Sequence, residues 1–238
     1  MVASNISFQL FEGELVGLVG VNGIGKSTLL RTLINLQPCL EGQISILGKG
    51  VKTYSSLELA NILSVVLTEQ PISKNLRVKE LVALGRQPYT NWIGKFTKED
   101  ENLVMEALKK TDCLDYADKK CYELSDGQLQ KVMIARAIAQ DTNLILLDEP
   151  TTHLDMYHRA SILKLLKSLA HSTKKTILFS SHEIDLAIQL CDRMIVMTPS
   201  EVVCDKPCKL IEQGVFDALF PNDVIDFDKS IGRFKIKK

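Results

Sequence analysis

Two groups of residues in this chain have types and spacing that could do chemistry. The first is Gly20-Val21-Asn22-Gly23-Ile24-Gly25-Lys26-Ser27-Thr28, which fits the pattern G-x-x-x-x-G-K-[ST]. Glycines reach backbone angles that other residues avoid, so successive N–H groups can turn inward on phosphate oxygens. A helix starting inside the loop points its positive end at the same place. Lys26 would reach the β- and γ-phosphates of ATP, and the Ser27 hydroxyl would bind Mg²⁺. The second group is Leu144-Ile-Leu-Leu-Asp148-Glu149. An apolar run ending in two acids sets carboxylates at the carboxyl edge of a buried strand, where open α/β sheets hold ligands. Asp148 would hold the magnesium shell, and Glu149 would polarise an attacking water as general base. Taken alone, this second run reads equally as a solvated strand end. Downstream of a phosphate loop it reads as part of a site.

These residues need a scaffold, and the hydrophobic pattern supplies one. Short strand-like runs alternate with helical stretches, which predicts an α/β fold with a mostly parallel sheet and crossover helices. Strands are expected at residues 15–20, 43–47, 64–68, 144–148, 176–180 and 193–198. Helices are expected at 26–36, 56–63, 158–170 and 184–190. Residues 71–140 lack strand signals and carry helical periodicity at 78–84, 98–110 and 128–139, so they read as a helical subdomain inserted into the core. After Pro199 the signals weaken, with a short helix within 210–220 and a basic tail at 232–238 that reads as a solvated end. The whole chain, 1–238, reads as one domain with a C-terminal extension at about 199–238.

Composition narrows the classes. The chain has 238 residues, enough for a sizeable core. Lys+Arg and Asp+Glu balance at 29 each, which gives no electrostatic argument for nucleic acid as a partner. No apolar run approaches the roughly 20 residues that span a bilayer. The start, MVASNISFQLFEGE, has no basic region followed by an apolar core, so it does not read as a secretory signal. The six cysteines are scattered and read as reduced thiols of a cytoplasmic protein. Cys204 and Cys208 are the one close pair, with no second Cys/His pair nearby to complete a metal site.

With the phosphate loop and the Asp148-Glu149 strand in place, the chain resembles the ATP-binding cassette (ABC) family of P-loop NTPases. Leu124-Ser125-Asp126-Gly127-Gln128 is similar to that family's signature loop, Leu-Ser-Gly-Gly-Gln, and Ser125 is placed to cap the helix that follows. In the family this loop contacts the γ-phosphate held by the opposite subunit. The resemblance assigns Gln70 to the loop glutamine that touches Mg²⁺ and water. It assigns Thr152-His153-Leu154-Asp155 to the loop that crosses between subunits, and His182 to the switch histidine at the γ-phosphate. Singly, His182 reads as a satisfied structural histidine, and Gln70 and Asp155 are no more telling. Five elements in the right order reverse that reading.

The resemblance implies an ATPase working as a homodimer. Each of two ATP sites would use Lys26, Gln70, Glu149 and His182 from one copy, with Ser125, Gly127 and Gln128 from the other. It also implies transmembrane permease subunits, a solute-binding protein acting through them, and a peripheral position on the cytoplasmic face of the cell membrane. Leu84-Gly-Arg-Gln-Pro-Tyr-Thr-Asn-Trp92 and Phe96-Thr-Lys-Glu-Asp100 look like the corresponding stretch of importers for iron–siderophore complexes, haem and cobalamin. Tyr89, Trp92 and Phe96 read either as subdomain core or as a groove for the membrane partner. A small-molecule kinase using the phosphate loop is one rival reading, though it would need no signature loop and no Glu149–His182 arrangement, and a cassette ATPase acting on ribosomes or DNA is the other. Such proteins usually carry two cassettes, a coiled coil or a basic arm, and this chain has one cassette without heptads or net charge.

Two departures stand out. Asp126 replaces the first signature glycine, and an acid there should face solvent or a basic neighbour rather than phosphate. The family's adenine-stacking aromatic lies farther upstream of the phosphate loop than Met1 lies from Gly20, and Phe8 reads as core instead.

Overall fold

The structure, a computed structural model, describes residues 6–67, 75–90, 94–220 and 224–237. In chain order its elements are β1 (Leu15–Gly20), α1 (Lys26–Leu33), β2 (Ser45–Ile46), β3 (Lys49–Gly50), α2 (Ser56–Ala60), β4 (Leu63–Val66), α3 (Val78–Ala83), α4 (Lys98–Lys110), α5 (Asp126–Ala139), β5 (Leu144–Leu147), α6 (Met156–Thr173), β6 (Thr176–Ser181), α7 (Ile184–Leu190), β7 (Arg193–Met197), β8 (Val202–Asp205), α8 (Pro207–Glu212), β9 (Ile225–Asp228) and β10 (Arg233–Ile236). They fall into two compact units, one made of Met1–Gly42 with Leu166–Lys238 and the other of Gln43–Leu165.

In the first unit four strands run in the order β6-β1-β7-β8. β1 is parallel to both neighbours, with Val19 opposite Ser181 on β6 and Gly20 opposite Met197 on β7. Every residue of β1 is buried, which is why its sequence, LVGLVG, is apolar at odd and even positions alike. β8 closes the edge antiparallel to β7. The sequence does not predict it, because its four half-buried residues around Cys204 are too few to show a period. Helix α1 stops at Leu33, short of the expected residue 36, because Asn35 takes a left-handed backbone (φ +58°).

Residues 233–236 correct the expected solvated tail. They form β10, antiparallel to β9, with Phe234 opposite Phe227. Phe216, Phe227 and Phe234 are linked by ring contacts at 5.0 and 4.9 Å, and Phe220 meets Phe234 at 5.1 Å. Burial of these rings outweighs the exposure of Arg233 and Lys235, which alternate with Phe234 along the strand.

In the second unit β4 and β5 are parallel, with Val66 opposite Leu147. The expected strand at 43–47 shrinks to β2, which turns through Leu47 and Gly48 into β3. Both turn residues have positive φ (+51° and +76°), the geometry of a two-residue hairpin.

Helices α3, α4 and α5 pack on one another in this unit. Their fit depends on one buried ion pair. Arg86, in the 3₁₀ turn after α3, donates from Nε to Asp100 at 2.8 Å and from its guanidinium to the carbonyls of Ala139 (3.0 Å) and Gln140 (3.2 Å). Asp100 in turn caps α4 with Thr97, accepting from its amide (2.9 Å) and its hydroxyl (2.7 Å). Those two bonds and the guanidinium hold the Asp100 carboxyl down at about 2. The neighbouring Gly85 is tied to the same contact, since a Cβ there would lie 2.2 Å from the carbonyl oxygen of Arg136. Among the described residues no helix is long and apolar enough to cross a membrane.

Candidate functional site

The phosphate-type loop leaves β1 in the first unit. Gly23 and Gly25 have φ of +79° and +110°, a region that side chains disfavour, and a Cβ on Gly23 would meet nothing within 4 Å. The loop is closed by a turn from the Ile24 N–H to the Val21 carbonyl (3.3 Å), with Asn22 exposed at its crest. Helix α1 then begins at Lys26 on Gly25, an N-cap with no side chain to offer. The Lys26 side chain is buried, and its ammonium donates back to the carbonyls of Gly20 (2.9 Å) and Val21 (3.2 Å). Ser27 and Thr28 follow, half-buried in the first turn. A buried cation folded over its own loop beside an open, amide-rich crest is a geometry that fits a polyanion.

His182 belongs to the same edge. It follows β6, whose Ser181 lies one register step from the end of β1, so the loop at Gly20 and the histidine leave adjacent parallel strands in one direction. Its imidazole is 40% exposed, with Nε2 3.4 Å from the Glu183 carboxylate.

In the second unit the acids stand as the sequence suggests. The Asp148 N–H donates to the Val66 carbonyl (2.8 Å), extending the β4–β5 ladder, and its side chain is buried. Glu149 then takes a left-handed backbone, φ +48°, unusual for a residue with a side chain. Its carboxylate accepts from the Thr152 hydroxyl at 3.1 Å. His153 is a second left-handed residue, φ +66°, three positions before the helix α6. Two such residues within five positions mark a loop held in shape by its surroundings. Gln70 lies outside the described residues, as does Trp92.

The loop before α5 has the expected cap. Ser125 Oγ accepts from the Gln128 N–H (3.3 Å), and the Ser125 N–H donates to Gln128 Oε1 (3.1 Å), a complete capping box. Asp126 is exposed in the first turn, where an acid is favoured by the helix dipole. Gly127 is buried.

Asp155 caps α6. Its carboxylate accepts from the His158 amide (2.8 Å) and contacts His158 Nδ1 at 2.9 Å. The amide bond first, then the ring, draws the Asp155 carboxyl below its ordinary range. Sequence reasoning misses His158, which stands there only as the first residue of an amphipathic helix. The signal that could have found it is its spacing from Asp155, three residues on at a helix start.

Other expectations change. Tyr89 and Phe96 are 41% and 36% exposed, so neither is subdomain core, and the Arg86 guanidinium sits 4.0 Å from the Tyr89 ring centre. Phe8 is half-buried rather than core, and Phe11 is exposed beneath the Arg193 guanidinium, because the described chain before Leu15 forms no strand. All six cysteines are free thiols.

Comparison with known proteins agrees with this architecture. The family described as "ABC transporter" matches residues 3–152. An iron(3+)-hydroxamate import ATP-binding protein of Bacillus subtilis (strain 168) is 34% identical over 203 residues, 85% of this chain and 76% of the relative. The solved structure of a metal-chelate type ABC transporter in an inward-facing conformation superposes with a TM-score of 0.79 at 27% identity, covering 97% of this chain and 87% of its own. A dimeric bacterial ABC transporter cassette superposes with a TM-score of 0.73 at 29% identity, covering 87% and 90%. A glycine loop with a buried lysine, two acids closing a buried strand and a capped signature loop therefore stand in a chain that belongs to the ABC transporter family.

Proposed function

We propose that this chain hydrolyses ATP to drive import of ferric chelates of the siderophore kind. Two copies would close head to tail on two nucleotides and work against permease subunits from the cytoplasmic face of the cell membrane, with a solute-binding protein delivering cargo. The dimeric cassette and the metal-chelate transporter among its structural neighbours support the assembly. The iron(3+)-hydroxamate relative supports the cargo class.

The observation that carries the catalytic reading is Glu149, a carboxylate after a buried strand, in a strained backbone, steadied by the Thr152 hydroxyl. In this role Glu149 accepts a proton from the attacking water. Lys26 exchanges its two loop carbonyls for β- and γ-phosphate oxygens, and the amides of Gly23 to Thr28 take the remaining charge. His182 and Gln70 orient the γ-phosphate and the water. In the partner copy, Ser125, Gly127 and Gln128 cover the γ-phosphate, and Asp155 spans the interface.

Ser27 and Asp148 offer a hydroxyl and a carboxylate oxygen, the hard donors that a magnesium ion takes alongside phosphate and water. When bound, the ion would neutralise charge developing between the β- and γ-phosphates. Substituting Glu149→Gln should lower ATP turnover by about 10²-fold or more while ATP still binds, and the variant should elute as an ATP-dependent dimer. Turnover at the normal rate would remove Glu149 from this role.

A further inference from the structure

His158 has no assigned part in the scheme above, yet it touches two of its loops within the second unit. On one side its amide and Nδ1 hold the Asp155 carboxylate at 2.8 and 2.9 Å. On the other side its ring edge lies over Gly127. A Cβ built on Gly127 would sit 2.8 Å from His158 Cδ2, 3.3 Å from Cγ and 3.5 Å from Nε2. The first distance is shorter than real Cβ contacts allow, and the obstacle is an aromatic ring whose other edge is tied to Asp155. The ring cannot swing away without releasing that carboxylate. Tyr157 packs edge-on against the same ring at 5.5 Å, which further limits its escape.

We propose that His158 is a positioning residue that fixes the spacing between the signature loop and the loop ending at Asp155. Its ring is wedged on the bare Cα of Gly127 while its nitrogen holds Asp155. Gly127 is then glycine for a reason internal to the chain. The absent side chain is the seat of the imidazole, independently of any approach by a nucleotide. The neighbouring position has no such requirement, and there the chain carries Asp126, an exposed acid. The same ring forms one wall of a cleft of about 210 Å³ shared with Tyr116, Lys131, Tyr157 and Ser161.

The inference rests on the proposed function only for its effect on turnover; the wedge itself is a matter of packing. A double-mutant cycle tests both. The substitution His158→Asn keeps a nitrogen donor near Asp155 and removes the ring edge over Gly127. Gly127→Ala should lower the melting temperature by several degrees and ATP turnover by about tenfold, as small misplacements of a constellation do. In the His158→Asn background the same Gly127→Ala change should cost much less in melting temperature, the signature of coupled neighbours. His158→Ala should lower kcat about tenfold with KM within a few-fold, and His158→Asn, which restores the contact with Asp155 but not the ring over Gly127, should recover only part of that loss. Equal, additive effects of Gly127→Ala in both backgrounds would overturn the wedge. An unchanged kcat in His158→Ala would overturn the positioning role. If the unaltered chain shows no ATP turnover, the proposed function fails, and the melting-temperature cycle still decides the wedge.

Discussion

Helices α1 and α5 both begin at loops assigned to phosphate, and they begin differently. α1 starts on Gly25, at φ +110°, with no side chain at its cap. α5 starts on Ser125, whose hydroxyl and amide exchange bonds with Gln128. α5 is also tied at its far end, where Arg86 binds the carbonyls of Ala139 and Gln140. A helix start built from glycine puts no side chain between its first turn and an approaching anion, which suits the role proposed for the α1 loop. A helix capped by its own chain is already in shape, which suits its proposed role as a surface that arrives formed on a nucleotide held by another copy. The difference separates a gripping loop from a presenting one.

That contrast can be broken or sharpened by substitution. The largest effect should come from the far end of α5. Arg86→Ala leaves Asp100 buried without its cation and should cost about 3–5 kcal/mol of stability, read from the urea midpoint. Its acid limb follows from Asp100. The carboxyl is held at about 2 when folded, so its contribution is full above an unfolded value near 3.9 and is lost as pH falls from about 4 towards about 2. Next, Lys26→Met should lower ATP turnover about 10²–10³-fold, read as phosphate release. Smallest, Ser125→Ala should cost about 1 kcal/mol of stability. If it leaves the melting temperature unmoved, α5 is no better fixed at its start than α1, and the contrast falls.

Much of this was readable from residue types. α4 runs over Lys98–Lys110 as expected because Thr97 and Asp100 form a capping box at its start. α7 likewise matches its expected span. The parallel strands showed themselves as unbroken apolar runs. What stayed hidden was short or cooperative. β8 is four half-buried residues that become a strand only by lying against β7. β9 and β10 depend on rings brought together from residues 216 to 234, and local sequence carries no sign of that meeting. Among the proposed site residues, Lys26, Asp148, Glu149 and Ser125 stand out by their neighbours in sequence. His158 did not, since its contact with Gly127 joins residues far apart in the chain, and a helix-start histidine reads as surface.

The backbone at Glu149 has one more consequence. A left-handed conformation costs a residue with a side chain roughly 1–2 kcal/mol, and glycine would escape that cost. At this position the backbone favours one amino acid and the proposed chemistry favours another. Selection for stability alone would therefore drift towards a better-folded and silent protein. The glutamate marks a point where fitness for folding and fitness for turnover pull on the same residue in opposite directions.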